Sequence, residues 1–495
     1  MKKTAALLLG GAAVYLYLNL FASPRVPFLI GGDQAYFWMD AMRILDGQRV
    51  YRDFLQFTPP GTDLLFVTLF KLFGRRLWVT NLVVLGLGLA FVWLVYSIAR
   101  QLMRSVGATL AAAIFLVPIY GRTLNATHHW FGVLGVLAAI RVLLGGITSS
   151  RVAVAGGILG VASFFSLTHG AAALVAFSVF VAMDSVRAQT ERSGFLCRQA
   201  LLSGTYILAL VLLSSPYLAS IGVRRLWYFQ VTYVWTFVAH AYRGAPPALF
   251  PPPLRLTIHN LPALSEYLAV YLLLSVATAG ALYLCWAGQR EKALIQPIVL
   301  VVLVAVFLFA EVGISLSWLR LYAVSAPGVI LVPWVVERLP RLRDGLSIVL
   351  WAWVLLLAAH QTITHQRMQR AIVVLPAGKV ATTQPTADGL RLVAAFANPG
   401  DDLFQAAWPG TYLPLNMRNP LYFDTAGVVD MPRRSDIGFA IQQLEKQRVP
   451  YILWDAHLDG SCCHDRLAPM REYVHAVYVP VVTLPDGATL WRRRG

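Results

Sequence analysis

Five aspartates crowd one short stretch of the chain. Asp33, Asp40, Asp46 and Asp53 lie within Gly31 to Gly61, GGDQAYFWMDAMRILDGQRVYRDFLQFTPPG, and Asp63 lies just beyond. The stretch follows one apolar segment and precedes a long series of others. Carboxylates beside lipid are costly, so their presence asks for a chemical reason. The chemistry that a carboxylate supplies is proton abstraction from, or orientation of, a hydroxyl or amine. On a helix, positions 33, 36, 37, 40 and 43 share one face, which puts Asp33, Asp40 and Arg43 along one stripe. At a rise of ~1.5 Å per residue, Asp33 and Asp40 are then about 10 Å apart. Asp33 follows Gly31-Gly32 and also suits a helix N-cap, so the spacing leaves cap and base both open. Asp40 and Asp53 are further candidates for the base, with Arg43, Arg49 and Arg52 at hand as ordinary ion-pair partners. Pairing suits Asp46 best, and Asp63 reads as a first-turn partner of a helix dipole.

The elements that must position these residues are apolar helices. The chain has 495 residues, of which 58% are hydrophobic and 13% charged, about half the charged share of a soluble domain. Long apolar blocks read as spans over Ala5–Phe21, Leu77–Ile98, Val106–Tyr120, Trp130–Gly146, Val152–Leu167, Ala171–Met183, Leu201–Ile221, Ser265–Trp286, Ile295–Phe309, Trp318–Val336 and Leu346–His360. The expected fold is therefore a polytopic α-helical membrane protein of about eleven spans. The first block carries Lys2 and Lys3 and reads as a retained anchor rather than a cleaved signal peptide.

Charge placement gives the topology. Of 41 Lys and Arg, 27 precede residue 363 against 12 Asp and Glu, so the formal excess of +17 belongs to the loops between spans and not to a nucleic-acid-binding surface. With the N-terminus inside, each inner loop is basic: Lys2 and Lys3; Arg100 and Arg104; Arg151; Arg187, Arg192 and Arg198; Arg290 and Lys292; Arg338, Arg341 and Arg343. The first outer loop, 22–76, is long. Two interfacial helices are expected in it, one over Asp33 to Asp46 laying Tyr36, Phe37, Met39 and Ile44 on the membrane and one over Leu64 to Phe73. Gly222 to Leu264 is rich in aromatics and proline and reads as a loop at headgroup level.

The apolar blocks stop near Thr364. Residues 1–362 form a transmembrane catalytic domain in this reading, and 363–495 a small extracytoplasmic α/β domain. Its expected elements are a helix over Ala387–Ala397, a strand over Asp402–Ala407, a helix capped by Ser435 and running to Gln447, a strand over Tyr451–Trp454, and a hairpin of Val477–Thr483 with Ala488–Arg492. Cys197, Cys285, Cys462 and Cys463 form no disulfide framework. No internal repeat, phosphate-binding glycine loop or zinc spacing is present.

The acidic opening of the first outer loop, the amphipathic helix and the YRDF…PPG segment before a second short helix resemble the C-type polyprenyl-phosphate glycosyltransferases, in particular the family 39 group of protein O-mannosyltransferases and aminoarabinose transferases. The resemblance implies a sugar donor carried on a polyprenyl phosphate, a lipid, glycan or protein acceptor, and inverting transfer at the periplasmic face. Its first-loop acidic motif falls on Asp33-Gln34, making Asp33 the base; Gln34 departs from relatives with an Asp-Glu pair. Outer-side cations would bind the leaving lipid phosphate: Arg320, Arg122, Arg224, Arg225, Arg243 and Arg255, with Lys71 as a weaker candidate. Gln34, Tyr36, His128, His129, Tyr322 and Glu311 are candidates to line the site, whereas Glu266, His169 and His240 suit boundary or packing roles. The second outer loop, GRTLNATHHW, carries His128 and His129 and no carboxylate. No cofactor is implied; a divalent metal is possible in the family, but this departure favours a metal-independent mechanism.

The leading function is thus a periplasmic-face membrane glycosyltransferase of the hexosyl or pentosyl type. A glycan ligase or polymerase leaning on Arg and His is the alternative, followed by a non-enzymatic transporter. The composition and the MKK start suit a bacterial inner membrane.

Overall fold

The computed structural model describes residues 2–23, 26–189, 191–243, 260–287, 292–313, 317–459 and 465–495. Helices stand at each of the eleven apolar blocks. Six of them are long and apolar enough to cross a membrane: Lys3–Leu20, Leu77–Leu102, Ser105–Thr123, Leu167–Arg187, Arg192–Ile221 and Arg343–Met368. A seventh span results if Trp318–Val324 and Ala326–Glu337, bent by 54° at their junction, count as one. The bend falls at Ser325-Ala326-Pro327, where proline removes a backbone donor. His128–Leu143, Ser149–Phe165, Leu274–Leu284 and Gln296–Val312 are shorter apolar helices.

The chain divides into two compact units. One comprises 1–19, 84–220 and 242–364; the other 20–83, 221–241 and 365–495. In the first, small residues let helices approach closely. A side chain at Gly156 or Gly160 would strike the backbone of Leu202 or Tyr206 within 2.2 and 2.4 Å, which ties Ser149–Phe165 to Arg192–Ile221.

The second unit joins the first outer loop to the tail. Strand Phe21–Ser23 pairs with Val26–Pro27, and Leu29 N donates to Ala381 O (2.8 Å) on a hairpin of Ala371–Leu375 with Gly378–Thr382. The sequence reading did not anticipate that hairpin. A four-stranded sheet follows: Leu403–Gln405 runs parallel to Tyr451–Trp454, which is antiparallel to Thr489–Arg493, itself paired with Tyr478–Thr483. Helices Gln384–Phe396, Arg434–Lys446 and Ala468–Val477 complete the α/β part. The cap of Arg434–Lys446 is not Ser435. Asp436 reaches back to accept from the backbone N–H of Arg433 (3.0 Å).

The first-loop helix is Gln34–Leu45, followed by Gly61–Phe73. The face expected on the membrane is instead core. Phe37 and Met39 are 4% and 1% exposed, and Tyr36 and Ile44 are half-buried. The physical reason is Arg43. Its guanidinium is buried and bonded to Asp424 (3.1 Å), to Leu421 O (2.5 Å) and to Gln48 (2.8 Å), and it lies over the Phe54 ring. A cation so placed ties the helix to the tail, while Trp38 of the same helix packs edge-on against Phe66 of Gly61–Phe73. Truncating one partner leaves the other charge buried and alone, at a cost of about 3–5 kcal/mol. Arg43→Ala should therefore lower the unfolding temperature sharply in detergent, while Arg43→Met with Asp424→Leu should recover most of the loss; equal losses in both would show that the pair does not hold the helix.

Candidate active site

Asp33 takes the N-cap position of Gln34–Leu45, with Gly32 at φ +82° turning the chain into the helix, yet its carboxylate makes no cap bond. It is partly exposed, and burial lifts it from the usual 3.8 to about 6. Tyr36, one turn on, feels its charge, lies 3.4 Å from Thr425 Oγ1 and stands edge-on to Trp408. Thr425 in turn donates to the buried Asp430 (2.5 Å), which burial raises to about 6. Gln34 is buried and donates to Gly31 O (3.3 Å).

The other aspartates of the cluster have settled roles. Asp40 and Asp63 are fully buried, and both accept from Gln56 Nε2 (2.8 and 3.2 Å). Burial raises both well above the carboxylate range, and the charge of Asp63 adds to the effect on Asp40. Asp63 is thus a buried hydrogen-bonded acid, and its first-turn position is incidental. Asp53 is exposed; it accepts from Arg49 N (2.8 Å) and neighbours the Arg49 and Arg52 side chains at 3.8 Å. Asp46 pairs with Arg75, outside the three arginines expected for it.

The candidate cations fall in both units. In the first unit, Arg320 forms an ion pair with buried Glu311. Glu311 Oε2 lies 3.0 Å from His169 Nδ1, and His169 Nε2 lies 3.1 Å from His129 Nδ1. With the His169 proton on Nδ1, Nε2 accepts from His129, so one tautomer runs from Arg320 to His129. His128 stacks on His129 at 3.8 Å between ring centroids. Arg122 pairs with Glu266 (3.0 Å) and lies over Tyr267, with the Tyr322 hydroxyl beside it; Gln361 donates to the other Glu266 oxygen (2.7 Å). The helix Trp318–Val324 packs on His128–Leu143. Here Arg320 Nε, Thr127 Oγ1 and Asn125 Oδ1 are buried with no hydrogen-bond partner among the described residues, which leaves two donors and one acceptor for a ligand or water.

In the second unit, Arg224 is exposed, and Arg225 lies over Phe229 in the wall of a cavity of about 500 Å³ that includes Arg52, Tyr233 and Arg433. The Arg243 side chain, all of Arg255 and the Cys462-Cys463-His464 run lie outside the described residues. Among the described residues no three His, Cys, Asp or Glu side chains group so as to hold a metal ion, so no step here is routed through one.

Sequence reasoning missed how His169 and Glu311 combine, and it did not consider Asp424 or Asp430. A signal for the latter was present: FDTAGVVD sets two acids in an otherwise apolar stretch.

The raised pKa of Asp33 has a stability consequence with a definite sign. The folded state holds this proton more tightly than the unfolded chain, so its favourable contribution is full below about pH 4 and is lost as pH rises through 6. Asp33→Asn should therefore unfold at a higher temperature than wild type at pH 8, with the difference vanishing near pH 4. An Asn variant less stable than wild type at pH 8 would show that the carboxylate has a structural partner.

No family model matches the sequence, and no curated protein matches it. Solved structures do. ArnT from Cupriavidus metallidurans in the apo state aligns at TM-score 0.62 and 14% identity over 98% of this chain and 97% of that one. The same protein bound to undecaprenyl phosphate aligns at 0.61 over the same shares. The Archaeoglobus fulgidus oligosaccharyltransferase, in complex with Zn and sulfate, aligns at 0.54 and 15% identity over 91% of this chain and 68% of that one. At these identities the likeness is one of fold, and this chain has the fold of these ArnT and oligosaccharyltransferase structures.

Proposed function

We propose that this protein is a membrane glycosyltransferase that moves a sugar from a polyprenyl-phosphate donor to a lipid, glycan or protein acceptor on the periplasmic side of a bacterial inner membrane. The reading takes all eleven helical blocks as spans, with basic loops inside and the tail outside. The observation that carries it is the carboxylate of Asp33: placed to cap a helix, it caps nothing, and burial tunes it to about 6. A base with that constant is ionised at neutral pH and still accepts a proton in the transition state.

In the proposed reaction, an acceptor hydroxyl or amine attacks the anomeric carbon of the donor and gives its proton to Asp33. The bond from that carbon to the phosphate oxygen breaks, and its electron pair leaves with the lipid phosphate. The sugar configuration inverts. In the unit that holds Asp33, Arg224 and Arg225 neutralise the charge that grows on the leaving phosphate. In the first unit, Arg320 suits a phosphate oxygen on its own account, since Glu311 holds one edge of its fork and Nε has no partner among the described residues. Support comes from the shared fold, because one structure of that fold holds undecaprenyl phosphate.

A second reading, a glycan ligase or polymerase, is favoured by one observation. The buried chain His129–His169–Glu311–Arg320 could position a histidine as base.

Transfer of labelled sugar from polyprenyl phosphate donors separates the two. On the first reading, Asp33→Asn lowers kcat by about 10²–10⁴-fold with little change in donor KM, and the wild-type rate falls with unit slope below about pH 6. Full activity in Asp33→Asn together with loss in His129→Gln would transfer the base to the histidine chain.

A further inference from the structure

A cavity of about 800 Å³ in the first unit lies at the far end of the bent helix pair from Arg320. It forms where Leu77–Leu102 ends, Ser105–Ile114 begins, Ala326–Glu337 ends and Arg343–Met368 begins. Its lining has two kinds of group. Arg100, Arg104, Arg338 and Arg343 face only Glu337 and Asp344, an excess of two positive charges. Leu102, Val106, Leu110, Ile348 and Trp351 supply apolar wall, and Val106 and Ile348 are mostly exposed there.

Two carboxylates cannot neutralise four arginines. Asp344 pairs with Arg343 (2.9 Å). Glu337 is held on the backbone N–H of Arg104 (3.3 Å), where Gly107 admits it: a Cβ at that glycine would sit 2.4 Å from the Glu337 oxygen. Arg100 and Arg104 have no carboxylate partner among the described residues. Arg100 spends one N–H on Met103 O (2.8 Å), and its Nε is buried and unbonded. Arg338 lies 3.9 Å over the Trp334 ring, which holds its plane in place. A cation-rich cavity with apolar walls matches a ligand that is anionic at one end and hydrocarbon at the other. Basic pockets between membrane helices on the cytoplasmic side commonly take lipid headgroups of this kind.

We propose that this cavity binds the phosphate headgroup of an anionic membrane lipid, with Arg100 and Arg104 as its cationic contacts and Ile348 and Trp351 beside the acyl or prenyl chain. The inference rests on the reading of these helices as membrane spans and is independent of the sugar-transfer chemistry. A phospholipid and a free polyprenyl phosphate share this chemistry, so both are tested.

The experiment is native mass spectrometry of the full chain in detergent, titrated separately with phosphatidylglycerol, undecaprenyl phosphate and phosphatidylcholine. Two variants accompany it: Arg100→Gln with Arg104→Gln, which removes charge, and Ser347→Trp, which fills the cavity and keeps every arginine. Wild type should bind at least one anionic lipid about tenfold more tightly than phosphatidylcholine, the equivalent of 1.4 kcal/mol. Both variants are made on an Arg320→Ala background, so that the proposed donor-phosphate site does not contribute; the preference should be present in that background and in Asp33→Asn and should vanish on adding either cavity change. Preference for phosphatidylglycerol names a phospholipid as the source, and preference for undecaprenyl phosphate names the carrier. Equal binding of all three lipids, or an anionic preference surviving in Ser347→Trp, overturns the proposal. Loss of sugar transfer in Asp33→Asn is read separately, so either idea can fail alone.

Discussion

A single buried ion pair organises the second unit of this protein. Arg43 and Asp424 are almost fully buried, and neither could remain so alone. Their union fixes the helix Gln34–Leu45 against the tail, and with it the direction in which Asp33 leaves the helix start. Leu421 O, Gln48 and the Phe54 ring complete the arginine's shell, so the charge gains directional partners in place of water. Such a pair contributes little net stability compared with apolar residues of the same size. Its effect is to fix one register of helix on tail.

The carboxylates of this unit show how one residue type is divided among tasks by environment. Asp424 is tied to a cation. Asp40 and Asp63 share the amide of Gln56, whose own oxygen accepts from Phe57 N, Thr58 N and the Thr58 hydroxyl. That sharing orients the amide and holds two acids together in a place where burial disfavours their charge. Asp53 and Asp46 meet arginines near water. Asp33 is left over, neither paired nor capping, close enough to the interior to be tuned and open enough to be reached. Its role follows from that contrast as much as from its position.

Local features were legible in the sequence to the degree that local forces decide them. Apolar blocks fix helices because only helices satisfy their own backbone in lipid, and each of the eleven blocks carries one. The Pro485-Asp486-Gly487 turn closes a hairpin because Gly487 takes φ +90°. Pairings across long separations were not legible. The His169–Glu311 contact spans 142 positions and the Arg43–Asp424 pair 381, and nothing in either neighbourhood encodes the partner. The membrane-facing assignment of Phe37 and Met39 failed for the same reason: amphipathicity shows that a face is covered, and a tail can cover it as well as a bilayer.

The composition of the second unit from segments 20–83, 221–241 and 365–495 carries a cost during biosynthesis. At roughly 5–20 residues per second, the 381 positions between Arg43 and Asp424 take on the order of 20–80 s to translate. For that interval Arg43 lacks its carboxylate and Met39 lacks Asn419. A truncation ahead of Asn419 removes Asp424 as well, which leaves the buried Arg43 without its carboxylate and uncovers the side of Met39 that faces Asn419.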